Sequence, residues 1–459
     1  MTETAPKPGP GQGKFVSGSL MRHVVTMSLS GALGLSFTFL VDFLALFWIS
    51  RRKIEAEMAA VGIAGTIQFA VMSLGIGMMI GAVALVARAI GQGDRPRARR
   101  IATTAMVLTL AVQCLVSALI WVFRGPVLAS SGATGEVLVL AERFLAITLP
   151  SMPLIAAGIM ASSILRAVGD AWRSMAVTMA GGAVAVLLDP VLIVWMGWGT
   201  DGAGWSVVIA RAVVGALGLW FVIRTHNMLA TPARADIAAF SGPYLAIALP
   251  AIATQMSTPF GNWILTRAIA AHGEGAVAGW SVVMRLTILA FGGIFALSGA
   301  IGGIIGQNFG ARRPDRVAGA FRAALIFCAC YTGVSWALMA ALSGPIVSAF
   351  NLTPEGAAIV TAFTHWAAGS FIFTGALFVA NATFNNLGRP LISTASNWLR
   401  DGVLMFPLAA YFSLRFGAVG IVWANVAANV LVGGLAAYLG WRHVQGLVGQ
   451  RQPETPASA

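Results

Sequence analysis

Stretches of about 20 apolar residues recur along the whole chain, and no other feature restricts its fold as much. One of them runs from Met58 to Ala87 without a charged side chain. Lipid offers no water to a backbone, so every N–H and C=O in such a stretch must bond within its own segment. Each stretch is therefore expected to be a helix. Of 459 residues, 58% are hydrophobic and 10% charged, at a mean hydropathy of +0.82. A soluble domain carries about 25% charged residues, so water cannot bathe this surface all round.

Twelve spans follow: 24–49, 58–87, 101–123, 137–163, 174–198 and 202–224, then 243–270, 276–305, 317–342, 358–382, 391–414 and 418–441. They predict an all-α integral membrane protein with two six-helix lobes, 23–225 and 243–442. A cytoplasmic inter-lobe loop, 226–242, joins the lobes, and disordered tails fill 1–22 and 443–459.

The two lobes read as copies of each other. Gly91-Gln92-Gly93-Asp94-Arg95-Pro96-Arg97 follows the second span, and Gly310-Ala311-Arg312-Arg313-Pro314-Asp315-Arg316 follows the eighth, 219 residues later. Gly169 and Gly388 lie the same distance apart. Halves with an even number of spans enter the membrane the same way round and pack about an axis along its normal, with substrate between them. That is a transporter's architecture.

The net charge of +13 comes almost wholly from Arg in short loops, which excludes a nucleic-acid surface. With the N-terminus inside, 19 of the 29 basic residues face the cytoplasm and six the outside, among them Arg51, Arg52 and Lys53. Both termini are thus expected in the cytoplasm. The Ala, Gly and Arg richness suits a bacterial protein, hence an inner-membrane location. Cys114, Cys328 and Cys330 sit in apolar spans without metal-type spacing, so no disulfide, metal or other cofactor is expected.

The segment Gly306-Gln307-Asn308-Phe309-Gly310-Ala311-Arg312-Arg313-Pro314-Asp315-Arg316 resembles the multidrug and toxic compound extrusion (MATE) family. Asn385-Asn386-Leu387-Gly388-Arg389-Pro390 resembles that family's second repeated loop, and Met58-Ala59-Ala60-Val61-Gly62 and Ala276-Val277-Ala278-Gly279 fit as well. The likeness runs from about Met27 to Trp441. It implies a V-shaped pair of lobes that expels organic, often cationic, compounds as a monomer, by alternating access against protons or sodium.

Three carboxylates lie at or inside spans: Asp42, Asp189 and Asp401. A carboxylate at membrane depth must pair, face a wet cavity or take a proton. Asp42 has no basic residue within a helical turn, and Thr38 shares its face. Asp189 precedes Pro190, which frees a backbone carbonyl nearby. Both match positions that the resemblance, in its DinF-like branch, associates with cation coupling; Thr38 and Ser206 are the expected surrounding shell. That branch's Asn four residues before the second Asp is Ala185 here, and its first-span proline is missing. Sodium wants several oxygens and a proton one acceptor, so protons are the expected coupling ion. Asp401 adjoins Arg400 and is expected as an ion pair or interfacial charge near the cytoplasmic face, leaving deep carboxylates to the first lobe alone.

Uncharged polar residues in the second lobe, Gln255, Asn262, Asn381, Asn425 and Asn429, are candidates for a substrate cavity or for interhelical hydrogen bonds. The expected partners are small organic or cationic drugs and membrane lipid, with no nucleic acid. A lipid-linked precursor flippase of the same superfamily is the alternative, though twelve spans and an acidic first lobe argue against it. An intramembrane enzyme is disfavoured: the chain has no His-Glu-x-x-His, nucleophile elbow or cluster of His with carboxylates.

Overall fold

The computed structural model describes residues 13–50 and 55–449. The Arg51–Lys53 cluster and most of both tails lie outside the described residues, as do the side chains of Asp42, Phe43, Leu46, Ser50 and Glu55. Among the described residues the chain is all-helical, with no strand. The spans are α1 (Leu20–Ser50), α2 (Glu55–Gly91), α3 (Arg95–Val122), α4 (Gly135–Val168), α5 (Ala171–Trp195), α6 (Gly199–Thr225) and α7 (Arg234–Ala270). Then α8 is a bent pair, Glu274–Ala290 and Gly292–Gly310, meeting at 47°. It is followed by α9 (Pro314–Ala341) and α10 (Ala367–Asn386). Pro390–Gly449 closes the chain and is two helices, α11 and α12, broken at Gly417, where φ is 61° and ψ −142°. Counted so, the described chain has twelve spans.

The 219-residue repeat reappears boundary by boundary. Glu55 and Glu274, Arg95 and Pro314, Gly135 and Pro354, and Ala171 and Pro390 all begin helices, and Gly91 and Gly310 both end one. Even the short helices Arg124–Ser130 and Ser343–Ala349 obey the spacing. Gly169 and Gly388 both hold positive φ, 97° and 80°, just past the ends of α4 and α10.

The chain forms two compact units. One comprises Met1–Ala32, Ala87–Arg95 and Ala253–Ala459; the other comprises Leu33–Val86 and Pro96–Ile252. The dividing points therefore fall inside helices: α1 changes unit at Ala32/Leu33 and α7 at Ile252/Ala253, instead of in the loop between halves.

The tails are shorter than expected. α12 continues to Gly449, and α7 already begins at Arg234. Ahead of α1, Lys14–Val16 forms a 3-10 turn with Phe15 and Val16 only 1% and 3% exposed. This segment is docked, not disordered. The Phe15 N–H donates to Gln307 Oε1 at 2.8 Å, and the Phe15 carbonyl accepts from Asn308 Nδ2 (3.1 Å) and Arg316 Nη2 (3.0 Å). Arg313 Nη1 donates to the Val16 carbonyl at 3.0 Å. The residues that carry the family likeness thus act as the receptor for the chain's own entry segment. Phe15→Ala is expected to cost about 3 kcal/mol locally. Amide exchange at residues 15–18 should then rise roughly a hundredfold while exchange in α9 stays slow.

Asp170 starts α5. Its carboxylate accepts from the Arg173 N–H at 3.1 Å, pairs with Arg173 Nη1 at 2.5 Å and meets His226 Nε2 at 2.8 Å. Burial pushes this carboxyl up, yet the bonds from Arg173 and His226 outweigh it and hold the group below the ordinary carboxylate value. A folded pKa below the unfolded one means stability that is present above about pH 4 and lost as pH falls through the folded value. Asp170→Ala should cost about 1–2 kcal/mol at neutral pH. Melting curves of the two proteins should converge as pH falls through the folded value of this carboxyl.

Candidate functional site

The site is built on α1, α5 and α6 within the unit formed by Leu33–Val86 and Pro96–Ile252. Asp189 is 2% exposed and closes the α-helical part of α5. Pro190 has no N–H to donate, so the regular ladder cannot continue. The next six residues, Pro190–Trp195, wind as a π-helix, with the Met196 N–H reaching back five residues to the Val191 carbonyl at 2.8 Å. Such single-turn π segments are frequent at functional sites.

Close glycine crossings fix what lies at the height of Asp189. In the antiparallel α5–α6 pair, Gly181 packs on Val214, and a Cβ on Gly202 would stand 2.5 Å from the Leu192 carbonyl oxygen and 3.1 Å from the Ile193 nitrogen. Carried along, that register sets Ser206 opposite Asp189. Ser206 is fully buried, and its hydroxyl has no hydrogen-bond partner among the described residues. Sequence reasoning thus named two residues that the fold brings to one level.

α1 runs parallel to α5. Gly34 lies against Met175 and Thr178, and Gly182 against Phe37 and Val41. This register puts the backbone of Asp42 within roughly 9 Å of the height of Asp189 along the pair. Its side chain lies outside the described residues. Thr38 is half-buried and gives its hydroxyl proton to the Gly34 carbonyl at 3.0 Å, so its donor serves the helix itself. Ala185, one turn before Asp189, is 9% exposed and offers no side-chain oxygen.

Sequence reasoning passed over Arg211, also in this unit. Its guanidinium, on α6, donates to the Thr148 carbonyl and Ser151 Oγ, both at 3.0 Å, and to Gln68 Oε1. Gln68 Nε2 donates in turn to Thr148 Oγ1 at 3.1 Å. Among the described residues its partners are a carbonyl, a hydroxyl and an amide oxygen, with no carboxylate. The single side-chain amide in the second span, Gln68, was the available signal.

The unit that contains Ala253–Ala459 departs from expectation. Asp401 is not interfacial: eleven residues into the helix that begins at Pro390, it lies about 16 Å along it and is 4% exposed. Arg400, 6% exposed, grips it twice, Nε to Oδ1 at 2.7 Å and Nη2 to Oδ2 at 2.9 Å, and Ser257 Oγ donates to Oδ2 at 2.9 Å. The expected ion pair is there, but buried well inside the helix, so buried carboxylates on spans are not confined to the first half. The segment Leu399–Leu404 is again π-helical. Subtracting 219 turns Ser257 into Thr38, Gly261 into Asp42 and Asp401 into Gly182. Gly261 faces Asp401, its would-be Cβ 2.9 Å from that of Asp401. In sequence, each half thus has a hydroxyl, a carboxylate and a glycine at corresponding positions, with the carboxylate moved from the half's first helix to its fifth.

The other candidates are not joined into one network by hydrogen bonds among the described residues. Asn429 Nδ2 bonds Asn425 Oδ1 at 2.7 Å within α12. Asn381, on α10, is 8% exposed with its Oδ1 unpartnered, while Gln255 and Asn262 are half-buried on α7. Arg285 is exposed on the first arm of α8.

The MatE family model matches residues 32–191 and 250–411. The chain is similar to an FAD transporter of Shewanella oneidensis, 27% identical over 93% of this chain and 96% of that one. It is also similar to the multidrug export protein MepA of Staphylococcus haemolyticus, 20% identical over 93% and 94%. Its fold matches a MOP superfamily transporter from Pyrococcus furiosus, described as having a binding pocket of reverse polarity, with a TM-score of 0.87 at 19% identity over 96% and 99% of the chains. With the repeated six-helix halves and the matching family model together, the chain belongs to the MATE family of multi-pass membrane transporters, and is not an enzyme.

Proposed function

We propose that the chain is a secondary antiporter that expels small organic compounds by alternating access, with Asp42 and Asp189 as the coupling residues and the proton as the coupling ion. The observation that carries this reading is Asp189: a carboxylate 2% exposed beside a π-helical turn, level with a fully buried Ser206. Ala185 supports the proton over sodium, since it supplies none of the extra oxygens that a sodium ion wants. Gln255, Asn262 and Asn381 are the proposed polar lining of the substrate path. The arginine bias supports an inner-membrane protein with both termini in the cytoplasm.

Everted vesicles carrying a pH-sensitive dye test the reading. Ethidium addition should move protons equally with and without sodium; a signal that requires sodium overturns the proton assignment. A second reading concerns the substrate. Arg211, held by dipoles with no carboxylate partner among the described residues, favours an anionic compound over a cationic one, as does the similarity to an FAD transporter. Under it the vesicles take up FAD in preference to ethidium, and Arg211→Gln removes FAD uptake first.

A further inference from the structure

The two copies of the loop that carries the repeat differ in one physically costly respect. In the first copy Gly93 occupies the left-handed region, with φ at 77°. Its counterpart 219 residues on is Arg312, with φ at 54°. Glycine enters this region freely, whereas an L-residue bears a steric cost there. The next position changes charge outright, from Asp94 to Arg313. Non-glycine residues held in such conformations concentrate at ligand clamps and other functional sites, which gives a reason to ask what the two guanidinium groups do.

They edge a cavity of about 420 Å³ in the unit that contains Ala87–Arg95 and Ala253–Ala459. Arg88, Arg312 and Arg313 line it with Gln92, and Phe309 and Leu447 give it an apolar side. No carboxylate is among the described lining residues. Arg88 is fixed: Nη2 donates to the Asn386 carbonyl at 2.5 Å, and its guanidinium lies over the Phe309 ring at 5.0 Å. Arg313 is steadied by the Val16 carbonyl. The cavity opens at the start of α9, a 28-residue helix whose first residue is Pro314 and whose N-terminus has no side-chain cap. Three cations and an apolar wall at the end of a membrane bundle match an anionic headgroup whose glycerol and chain lie alongside.

We propose that this cavity binds a phosphate group, carried by an anionic phospholipid or by a small phosphorylated solute. Its three positive groups supply the charge, and Phe309 and Leu447 supply the surface that a lipid would use and free phosphate would not. The proposal stands apart from the transport reading, because none of these residues belongs to the coupling site.

The test uses the full chain in phosphatidylcholine nanodiscs, with Arg312→Gly as the variant. Glycine restores what the first copy of the loop has and leaves the Arg313–Val16 bond in place. Native mass spectrometry should show phosphatidylglycerol retained by the wild type over phosphatidylcholine, and about fivefold more weakly by Arg312→Gly. The variant's melting temperature should equal or exceed the wild type's, because the left-handed strain is gone. In a second arm, a rise in wild-type melting temperature with inorganic phosphate, absent in the variant, assigns a soluble anion, whereas retention of phosphatidylglycerol alone assigns lipid. Equal affinity of wild type and variant for both ligands overturns the proposal. So does a lowered melting temperature for Arg312→Gly, which would make the arginine a part of the fold.

Discussion

Asp189→Asn is expected to cut drug-evoked proton movement in everted vesicles at least tenfold, the effect of removing a general acid–base group outright, while leaving the protein folded. Asparagine has nearly the same shape, so the packing of α5 against α6 survives. What disappears is the ability to take and release a proton, which a buried amide lacks entirely. At membrane depth a charged carboxylate is costly, so a group kept there without a function would be readily replaced by its amide. Asp189→Glu separates the roles. It keeps the titrating group but displaces it by one methylene, so residual sodium-independent exchange should persist. Binding of the drug, measured separately by fluorescence polarisation, should change little in either variant. If Asp189→Asn and Asp42→Asn each support normal drug-evoked proton movement, the first-half coupling assignment is wrong.

The repeat was legible because it rests on residues that backbone geometry demands. Gly169 and Gly388 occupy left-handed positions just past a helix, where a sequence has few options, so their spacing survives as a sequence signal. The burial of Asp189 was legible for a related reason: few ionisable residues occur in apolar spans, and each must face something. The docked segment at Phe15 was not legible. Its Pro- and Gly-rich surroundings report backbone freedom, whereas its order comes from Gln307, Asn308 and Arg316, some 290–300 residues away in sequence. Asn425 and Asn429 showed the limit of face arguments, since two amides one turn apart satisfy each other. The depth of Asp401 was hidden by adjacency. Consecutive residues on an α-helix point away from each other, so Arg400-Asp401 reads as a surface pair; a π-helical turn is part of the geometry in which both are buried.

Breaking that buried pair is the second large effect. Arg400→Met leaves a carboxylate 4% exposed with the Ser257 hydroxyl as its donor in place of a guanidinium, and should cost about 3–5 kcal/mol. Asp401→Leu should cost a similar amount by stranding the guanidinium, with some added crowding against Gly261, whose would-be Cβ already stands 2.9 Å from that of Asp401. The double replacement behaves differently. Both desolvation penalties vanish together and two apolar side chains fill the volume, so Arg400→Met/Asp401→Leu should recover to within about 1 kcal/mol of the wild type. Melting temperatures of the four proteins in one detergent form a double-mutant cycle, and its coupling energy isolates the pair. A structural pair predicts recovered stability together with intact transport. Recovered stability with lost transport would instead make Asp401 the working counterpart of Asp42, carried on the fifth helix of its half in place of the first. A cycle without coupling would sink the assignment of the pair as an energetic unit, whatever the transport result.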